Sequence, residues 1–565
     1  PADYQEGRED WNLQAESERY LGSDIIATAN VFFTIAKMMY TEFKVDIRDF
    51  VTLNQLTYEV WSAMHCKPAP LVTNTPEVYN PFADLVKEKH VIEIPTPALS
   101  KIILQSIYGG RCFPTKKIFK SKHYEAAVAK EVTYNEIEDD WIINADTVSL
   151  YATAMADHEY PVGYHKAATN RMIHEFNKLL SEGKEIKYGI FKCDVKPNKK
   201  LMIPSIPRKK FKETLTENYL EADGGLIWDL EDSIGWYNTV DIMNGIRDGY
   251  KITLLEGVYW PFKAKIYSEY TQLCFALKKR GDDTKNPVLR KMAKDMSNCN
   301  YGKSLQKPKV RSTQILKSSA NIATFTTKFI ITDYCYLGGD ADSIVMTGIA
   351  RELDGKTVNK PNQLGSFVLG NSRKIMNEKL NILDPYRLTA PALSVEICPF
   401  YGDTDSLNQL VSSKKYFDEV VAPQLDATKM GMLANDLKET QGKILYAIYL
   451  APKTYAYSYL GNDNVVREVV KSKGLPKKAY SFKDFQDIIA GQEDYSKLEP
   501  KTKEGLVKYG PKHGTYRNGD ERMEFEPFGV YSYTLMRKLL NRPWQGRDWM
   551  GNVSYPFGYE MGFAI

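Results

Sequence analysis

Hydrophobic positions recur at intervals of three and four residues in three long stretches of the chain. Residues 16–45 show this spacing, residues 286–306 show it behind Pro287, and residues 365–383 show it again. This period places apolar side chains on one face of an α-helix, and proline is tolerated in the first turn of a helix. The pattern therefore predicts three helices.

Shorter apolar runs bounded by turn residues separate these stretches and predict buried strands. The run "WIINAD" ends at Asp146 and passes into a turn and a helix start, and another run leads into "YGDTDS" at 401–406. Residues 101–114 also resemble a strand, which Gly109 and Gly110 interrupt. The mixture of helices and strands predicts an α+β fold.

The remaining stretches have weaker patterns. Residues 66–100 are rich in proline and predict a connector that lies over a surface. Residues 160–260 mix short strands with turns, and residues 305–362 are strand-rich and irregular. Mixed structure follows residue 410 and includes a basic stretch at 469–480.

Size and composition describe an ordinary globular protein with more than one core. The 565 residues exceed what a single core usually organises, so the length predicts several domains or lobes. A net charge of +4 identifies no partner by itself. The 37 tyrosines provide flat stacking surfaces that suit nucleic acids, although cores and interfaces use them equally.

Cysteine and histidine usage excludes several classes of site. The seven cysteines are scattered without a CxxC pair, which argues against a zinc site or a disulfide framework and favours a reducing compartment. The seven histidines contain no HExxH motif. No apolar run reaches the roughly 18 residues of a membrane span, so the sequence predicts no membrane partner.

Two aspartates crowd one point in "YGDTDS". In a tight hairpin, residues i and i+2 project to the same face, so Asp403 and Asp405 would converge beside Gly402. Convergent carboxylates are costly unless a cation neutralises them. The alternative is a surface turn in which both side chains are solvated or accept hydrogen bonds from backbone amides.

A third carboxylate, Asp146, ends the apolar strand that precedes "TVSLY". At a strand end it could reach a metal held by Asp405. Mg²⁺ prefers oxygen ligands and keeps positions for water and phosphate, and two such ions about 4 Å apart can stabilise a phosphoryl transfer. The alternative role for Asp146 is a helix N-cap.

The stretch "RKMAKDMSNCNYGK" at 290–303 carries a basic helix face. At 3.6 residues per turn, Arg290, Lys294 and Asn298 lie on one side of the helix, with Tyr301 close to it. Two cations, an amide and an aromatic ring can hold a triphosphate and stack a base. The alternative is a solvated basic face that ends in a glycine cap.

Taken in order, these three stretches resemble motifs A, B and C of the family B DNA polymerases, DxxSLYP, KxxxNSxYG and YxDTDS. Three further stretches resemble the protein-primed subgroup of phages, linear plasmids and some eukaryotic viruses. They are the YxGG-like "YGGR" at 108–111, the KxY-like "KTY" at 453–455 and the basic "KSKGLPKK" at 471–478.

The resemblance implies a template-dependent DNA polymerase with a palm, fingers and thumb. Its partners would be template and primer DNA, dNTPs and a terminal priming protein in the replication of a linear viral or plasmid genome. The implied regions are 1–65, a remnant of an RNase H-like 3′–5′ exonuclease domain; 66–115, a connector with the YxGG motif; 116–160, palm with motif A; 161–260, an insertion facing the priming protein; 261–304, fingers; 305–362, an insertion encircling DNA; 363–452, palm with motif C; and 453–565, the thumb and C-terminal region.

The resemblance also implies a role for each matching residue. The implied roles are these: Asp146 and Asp405 bind two Mg²⁺ ions (or Mn²⁺) with the Val148 carbonyl, and Asp403 lies beside them; Tyr151 lies under the incoming sugar and excludes a 2′-hydroxyl; Arg290 and Lys294 neutralise the triphosphate; Asn298 and Tyr301 line the nucleotide; Lys453 and Tyr455 hold the primer end; Tyr108, Gly109, Gly110 and Arg111 follow template phosphates.

Three departures from the family pattern change the expectations. Ala152 replaces the proline after SLY, and Cys299 replaces the serine of motif B, both small changes near the site. Tyr20 and Asp24 resemble the last exonuclease motif, YxxxD, but only 19 residues precede Tyr20, so the two earlier motifs have no place. The chain as given is therefore expected to polymerise without proofreading, with a fragment favoured over a separate chain or a natural loss.

Two other functions stay open at this stage. A non-catalytic binding remnant would explain the lost exonuclease motifs, but it gives no reason to keep the motif residues intact. An RNA-synthesising or reverse-transcribing enzyme is opposed by Tyr151 and by the DTD pattern. The expected location is the host cytoplasm or another reducing compartment, with a virion or an organelle as alternatives.

Overall fold

The computed structural model contains both helices and sheets, which confirms the predicted α+β fold. It describes residues 12–43, 45–50, 52–66, 89–209, 226–306, 311–336, 343–350, 360–437, 439–472, 480–490, 497–498, 538–539 and 546–560. Most of the predicted thumb and residues 473–478 of the basic stretch lie outside this set.

The first part of the chain is helical. Its helices are α1 (Leu13–Phe43), α2 (Leu53–His65) and α3 (Pro97–Gln105). Helix α1 confirms the prediction at 16–45, whereas α3 contradicts the strand predicted from residue 101. The side chain of Thr96 accepts a hydrogen bond from the amide of Leu99 at 3.2 Å, and Pro97 occupies the first helical position. Together they start a helix where the apolar run alone resembled a strand.

The next part contains the predicted strand at Asp146. Its elements are β1 (Cys112–Pro114), β2 (Ile118–Lys120), α4 (Tyr124–Val128), β3 (Trp141–Thr147) and α5 (Leu150–Asp157). Strand β3 is almost entirely buried. The turn between β3 and α5 places Ser149 at φ 54°, in the left-handed region that disfavours side-chain-bearing residues.

Residues 160–264 contain two helices that the sequence reading missed. The elements are β4 (Tyr160–Val162), β5 (Lys166–Ala167), α6 (Asn170–Ser181), β6 (Gly189–Lys196), β7 (Arg208–Lys209), β8 (Leu226–Ile227), β9 (Ser233–Asn238), α7 (Thr239–Arg247), β10 (Lys251–Tyr259) and β11 (Phe262–Ala264). Strands β5, β10, β6 and β9 form one antiparallel sheet in that order. Thr169 and Asn238 cap the missed helices.

A helix pair and a small sheet follow. The elements are α8 (Ser268–Asp283), α9 (Pro287–Ser304), β12 (Arg311–Leu316), α10 (Ser319–Lys328), β13 (Phe329–Tyr336) and β14 (Ile344–Ala350). Helix α9 confirms the prediction at 286–306, and Asn286 caps it by accepting from the amide of Leu289 at 3.0 Å. The sheet β12-β14-β13 confirms the strand-rich reading of 305–362.

The rest of the chain begins with a helix that is buried along most of its length. The elements are α11 (Asn362–Leu383), α12 (Pro391–Ile397), β15 (Tyr401–Asp403), β16 (Ser406–Val411), α13 (Lys414–Tyr416), β17 (Leu433–Asn435), β18 (Lys443–Ala451), β19 (Thr454–Leu460), β20 (Val466–Ser472), α14 (Phe482–Ile489), β21 (Lys497–Leu498), β22 (Lys538–Leu539), β23 (Arg547–Met550) and β24 (Val553–Pro556). Helix α11 confirms the prediction at 365–383.

One antiparallel sheet gathers strands from distant parts of the sequence. Its main path is β1-β15-β16-β3-β18-β19-β20, with β17 on β3 and β2 on β18. One face packs on apolar side chains of α5 and α11, including Leu150 and Ile375. The other face is rich in buried tyrosines, among them Tyr401, Tyr449 and Tyr457. The helices on one face and the close-packed tyrosines on the other make the sheet a fixed platform for its loops.

The N-terminal helices pack on the helix pair α8–α9. The Trp61 indole donates to the carbonyl of Ile266 at 2.7 Å and stacks on Tyr267, and Met39, Tyr270 and other side chains complete the same core. Among the described residues before Cys66 the structure contains helices and no strand. The assignment of 1–65 to an exonuclease remnant remains a prediction.

Candidate active site

The sheet register brings Asp146 and Asp405 to one place. Strand β3 runs antiparallel to β16, with Asp146 opposite Ser406. Beyond this pair, the amide of Thr147 donates to the carbonyl of Asp405 at 2.7 Å. The structure thus places the two predicted metal-binding aspartates beside each other at the ends of neighbouring strands.

Thr404, between Asp403 and Asp405, has a strained backbone. Its φ of 64° lies in the left-handed region, which is unusual for a β-branched residue. The amide of Thr404 donates to the carbonyl of Arg111 at 2.6 Å, and the amide of Asp405 donates to the carbonyl of Asp403 at 2.7 Å. Such strain persists only when surrounding contacts hold it, and it concentrates at functional sites.

The electrostatics around Asp405 fit a cation. Burial raises the pKa of its carboxyl, the bond to its own backbone amide opposes this, and the charge of Asp403 raises the pKa further. A carboxylate held this way gains from a divalent cation. Within the described residues no three His, Cys, Asp or Glu side chains form a ready cluster, so the fit depends on Asp146 and Asp405, with water and phosphate oxygens as further ligands.

Asp403 has a different partner. Its carboxylate is ion-paired with the ammonium of Lys453, with one Nζ–Oδ2 distance of 2.6 Å. Lys453 has a φ of 59°, and its amide donates to the hydroxyl of Tyr401 at 2.9 Å. The ring of Tyr455 lies 4.7 Å from that of Tyr401. The "KTY" stretch therefore contacts "YGDTDS" directly, and its predicted hold on a primer end stays a prediction.

The carbonyl of Val148, a predicted metal ligand, already accepts hydrogen bonds. The amide of Gly431 donates to it at 3.0 Å, and the hydroxyl of Thr153 lies at 3.5 Å. In return, the amide of Val148 donates to the carbonyl of Met432 at 2.8 Å. These hydrogen bonds fix the turn after Asp146. A metal ion would therefore have to bind the remaining lone pair of the Val148 carbonyl oxygen.

Motifs A and B meet through two tyrosines. The ring of Tyr151 on α5 stacks on that of Tyr301 on α9, with centroids 4.3 Å apart and planes 21° apart. Burial raises the pKa of both phenols. The stack joins the helix that follows Asp146 to the helix that carries the basic face.

That basic face is open. Arg290 and Lys294 are exposed and Asn298 is half-buried. The guanidinium of Arg290 pairs with the carboxylate of Asp282 on α8 at 2.5 Å, and about half of each side chain is exposed. The structure thus places the predicted triphosphate-binding cations on a solvent-facing helix surface beside Tyr301.

A family model described as DNA polymerase type B, organellar and viral, matches residues 1–381. The chain belongs to this family. The DNA polymerase of canine adenovirus serotype 2 is 23% identical over 81% of this chain and 45% of its own length, and that of Kluyveromyces lactis is 23% identical over 70% and 35%. The chain thus spans less than half the length of these relatives.

Solved structures show the same fold. This type B polymerase chain is similar to Phi29 DNA polymerase, with a TM-score of 0.52 at 16% identity over 85% of this chain and 70% of that one. The complex of Phi29 DNA polymerase with primer-template DNA gives a TM-score of 0.52 as well. This likeness supports the predicted palm, fingers and thumb arrangement.

The fold holds both side chains at the ends of the YxGG-like stretch of this type B polymerase chain. Tyr108 is buried, donates to the carbonyl of Trp236 at 3.0 Å and stacks on Tyr237. Arg111 is buried and donates to the carbonyl of Pro204 at 2.6 Å, and burial lowers its pKa to about 9. Tyr108 and Arg111 stabilise the fold, whereas Gly109 is exposed and Gly110 is partly buried. The expected contact of this stretch with template phosphates stays a prediction.

The predicted exonuclease residues lie on the N-terminal helix α1. Tyr20 and Asp24 sit one turn apart on α1, and Tyr20 is 69% exposed.

Within the part of the chain that the structure describes, no helix is long and apolar enough to cross a membrane. All seven cysteines are free in the structure.

A pocket between the catalytic turn and α11 contains residues that sequence reasoning missed. Its lining includes Gly110, Leu150, Tyr151, Arg373, Met376 and Thr404. Arg373 and Met376 lie on α11, outside the three motifs, and a charged residue inside a buried helix was the available signal. Asp436 was also missed; its negative charge raises the pKa of Asp405.

Proposed function

We propose that this chain is a template-dependent DNA polymerase. The observation that carries the proposal is the convergence of the motifs: Asp146 and Asp405 meet across the β3–β16 register, and the Tyr151–Tyr301 stack connects them to the basic face of α9. Family membership supports it, since the adenovirus and yeast relatives are DNA polymerases.

Asp146 and Asp405 would hold two Mg²⁺ ions, and Mn²⁺ could replace them. When bound, these ions would neutralise the charge that develops on the transferred phosphate. The chain's own residues would bind and align the nucleotide. Arg290 and Lys294 would bind the triphosphate oxygens through charge-assisted hydrogen bonds. The primer 3′-oxygen would attack the α-phosphorus of the dNTP in line with the bond to the leaving pyrophosphate.

Tyr151 would select the sugar. Its ring is held flat by Tyr301 and borders the pocket beside Gly110 and Thr404. A fixed aromatic ring under the sugar leaves no room for a 2′-hydroxyl, the group that distinguishes RNA precursors. The substrates would therefore be dNTPs.

The likeness to adenovirus and Phi29 polymerases supports a protein-primed mode. In it, residues 161–260 would face the priming protein, residues 305–362 would surround DNA, and the region after residue 453 would form the thumb. The free cysteines support a reducing compartment inside the host cell.

Extension of a labelled primer on a longer template, with Mg²⁺ and dNTPs, tests the proposal. Wild type should extend the primer, Asp405→Asn should not, and Asp463→Asn should behave as wild type because Asp463 lies on an exposed hairpin. Replacement of dNTPs by rNTPs should abolish extension. An intact primer in a lane without dNTPs would support the predicted lack of exonuclease activity.

Absence of extension by wild type that still binds DNA would contradict the proposal in its simple form and favour a non-catalytic remnant. Addition of a candidate terminal protein then decides between that remnant and an enzyme that starts only on its priming protein.

A further inference from the structure

A buried ion pair links helix α7 to helix α11. The guanidinium of Arg373 on α11 donates from Nε to Asp241 Oδ1 at 2.8 Å and from Nη2 to Oδ2 at 2.6 Å. The side chain of Arg373 is 3% exposed and that of Asp241 is 0% exposed. Such a pair is weak evidence for stability, because the desolvation of both charges offsets their attraction. Its two-pronged geometry instead fixes the guanidinium in one orientation.

The third arm of that guanidinium holds the Tyr108–Arg111 stretch. Nη1 of Arg373 donates to the carbonyl of Tyr108 and lies 3.4 Å from the carbonyl of Gly109. The guanidinium carbon also lies 5.9 Å from the centre of the Tyr108 ring. Through these bonds Arg373 holds the backbone of the Tyr108–Arg111 stretch, and its side chain also borders the pocket lined by Tyr151 and Thr404.

The same stretch supports the catalytic turn. The carbonyl of Arg111 accepts from the amide of Thr404 at 2.6 Å. Gly110 packs so closely that a Cβ there would lie 2.7 Å from Thr404 Cγ2. Thr404, with its positive φ, joins Asp403 to Asp405. The contacts are therefore continuous from Asp241 to the metal-binding turn.

We propose that Arg373 is a positioning residue for the catalytic turn and that Asp241 orients it. Helix α7 belongs to the region where a priming protein would bind. The pair therefore also connects that region to the pocket lined by Tyr151 and Thr404. The inference rests on the proposed polymerase function for its kinetic consequence, whereas its structural consequence holds without any substrate.

The chain offers a control at the opposite end of α7, where Asp248 follows the last helical residue. Asp248 is also fully buried and accepts from Arg387 at 3.2 Å, and Arg387 is 1% exposed. Arg387 donates to the carbonyl of Ile203 and to Ser205, and neither Asp248 nor Arg387 hydrogen-bonds to residues 108–111. Asp248→Asn therefore weakens a second buried pair and changes the charge near Arg111, but it breaks no hydrogen bond to the Tyr108–Arg111 stretch.

The first experiment is amide hydrogen exchange of the full chain without substrate. Asp241→Asn should increase exchange at least tenfold in peptides that cover 108–111 and 401–406, and Asp248→Asn should leave both peptides within twofold of wild type. Equal loosening by the two variants, or no loosening by Asp241→Asn, would overturn the inference. If Asp241→Asn does not fold, Arg373→Lys keeps the charge but loses the two-pronged bond and should show the same pattern.

Single-nucleotide incorporation is the second readout. Asp241→Asn should lower kcat/KM for the dNTP at least tenfold at a temperature where thermal melting shows it folded, and Asp248→Asn should stay within threefold. Failure of wild type to incorporate nucleotides would contradict the proposed function and leave the exchange result to decide the positioning role.

Discussion

The catalytic turn and the basic face of α9 are built in opposite ways. Asp146 and Asp405 are placed by strand register, backbone hydrogen bonds and a strained Thr404 inside a packed sheet. Arg290 and Lys294 extend from an exposed helix surface, where Arg290 has one half-exposed salt bridge. One region is fixed before any ligand arrives, and the other can adjust its side chains to the ligand.

The energies explain this division of roles. Left-handed backbone at a non-glycine residue costs on the order of 1–3 kcal/mol and needs dense support. An exposed ion pair contributes about 0–1 kcal/mol and is easily exchanged for another partner. Metal ligands need fixed distances, so they belong on the sheet. Phosphate-binding cations need reach, so they belong on the open helix.

The largest effect should come from the fixed region. Asp146→Asn removes a predicted metal ligand without changing its size, so we expect primer extension to fall by about 10³-fold or more. Steady-state incorporation of one nucleotide measures this, with Asp463→Asn as the control. A loss smaller than tenfold would mean that Asp146 does not bind the metal and would remove the basis for the contrast between the regions.

The next effect concerns the open region. Lys294→Ala removes a cation expected on the triphosphate, and charge-assisted hydrogen bonds are worth about 1.5–3 kcal/mol, so kcat/KM should fall by about 10- to 100-fold. Lys291→Ala on the same helix is the control, because Lys291 pairs with Asp295 and not with the predicted phosphate face. Equal effects from both substitutions would show general electrostatics and not a defined site.

A smaller effect should distinguish two adjacent glycines. A Cβ on Gly110 would lie 2.7 Å from Thr404 Cγ2 and 3.1 Å from Thr404 Cα, whereas the nearest atom to a Cβ on Gly109 is 4.0 Å away. Gly110→Ala should therefore push the catalytic turn and lower kcat by about tenfold. Gly109→Ala should leave kcat within twofold. If Gly109→Ala lowers kcat more than Gly110→Ala does, the catalytic turn is less rigid than its contrast with the basic face of α9 requires.

The smallest effect is expected from Asp282→Asn. This change releases the guanidinium of Arg290 from an exposed pair, and such pairs contribute about 0–1 kcal/mol. The KM for dNTP should fall by no more than about threefold, and the thermal midpoint should barely move. A rise in KM would show that Asp282 orients Arg290 for the phosphate, which would make the open face less adjustable than its exposure suggests.

Local patterns predicted much of this molecule. Periodicity located α1, α9 and α11, and the motif spacing named Asp146, Asp405, Tyr151 and Tyr301, which the structure brings together. The pattern failed where a cap and a proline decided the outcome, as in α3, whose apolar run resembled a strand.

Other features depend on distant partners and leave no local signal. The ion pair of Lys453 with Asp403 joins residues that are far apart in sequence. The buried side chain of Arg111 donates to the carbonyl of Pro204 and to Asn377, which lie 93 and 266 positions further along the chain. Arg373 lies outside every motif and gains its role from Asp241. No short segment of the sequence contains both members of such a pair, so local patterns cannot predict these contacts.

The wide sequence separation inside the catalytic sheet has a consequence for synthesis on the ribosome. Strand β3 cannot pair with β16 until a further 259 residues separate Asp146 from Asp405 in the growing chain. At about 5–20 residues per second this delay lasts roughly 13–50 s. Until then β3 lacks its neighbouring strands and exposes the apolar face of Trp141, Ile143 and Ala145, so we expect chaperones to bind it. The sheet therefore closes late in synthesis. Codon choice between the two aspartates would set the delay before β3 pairs with β16.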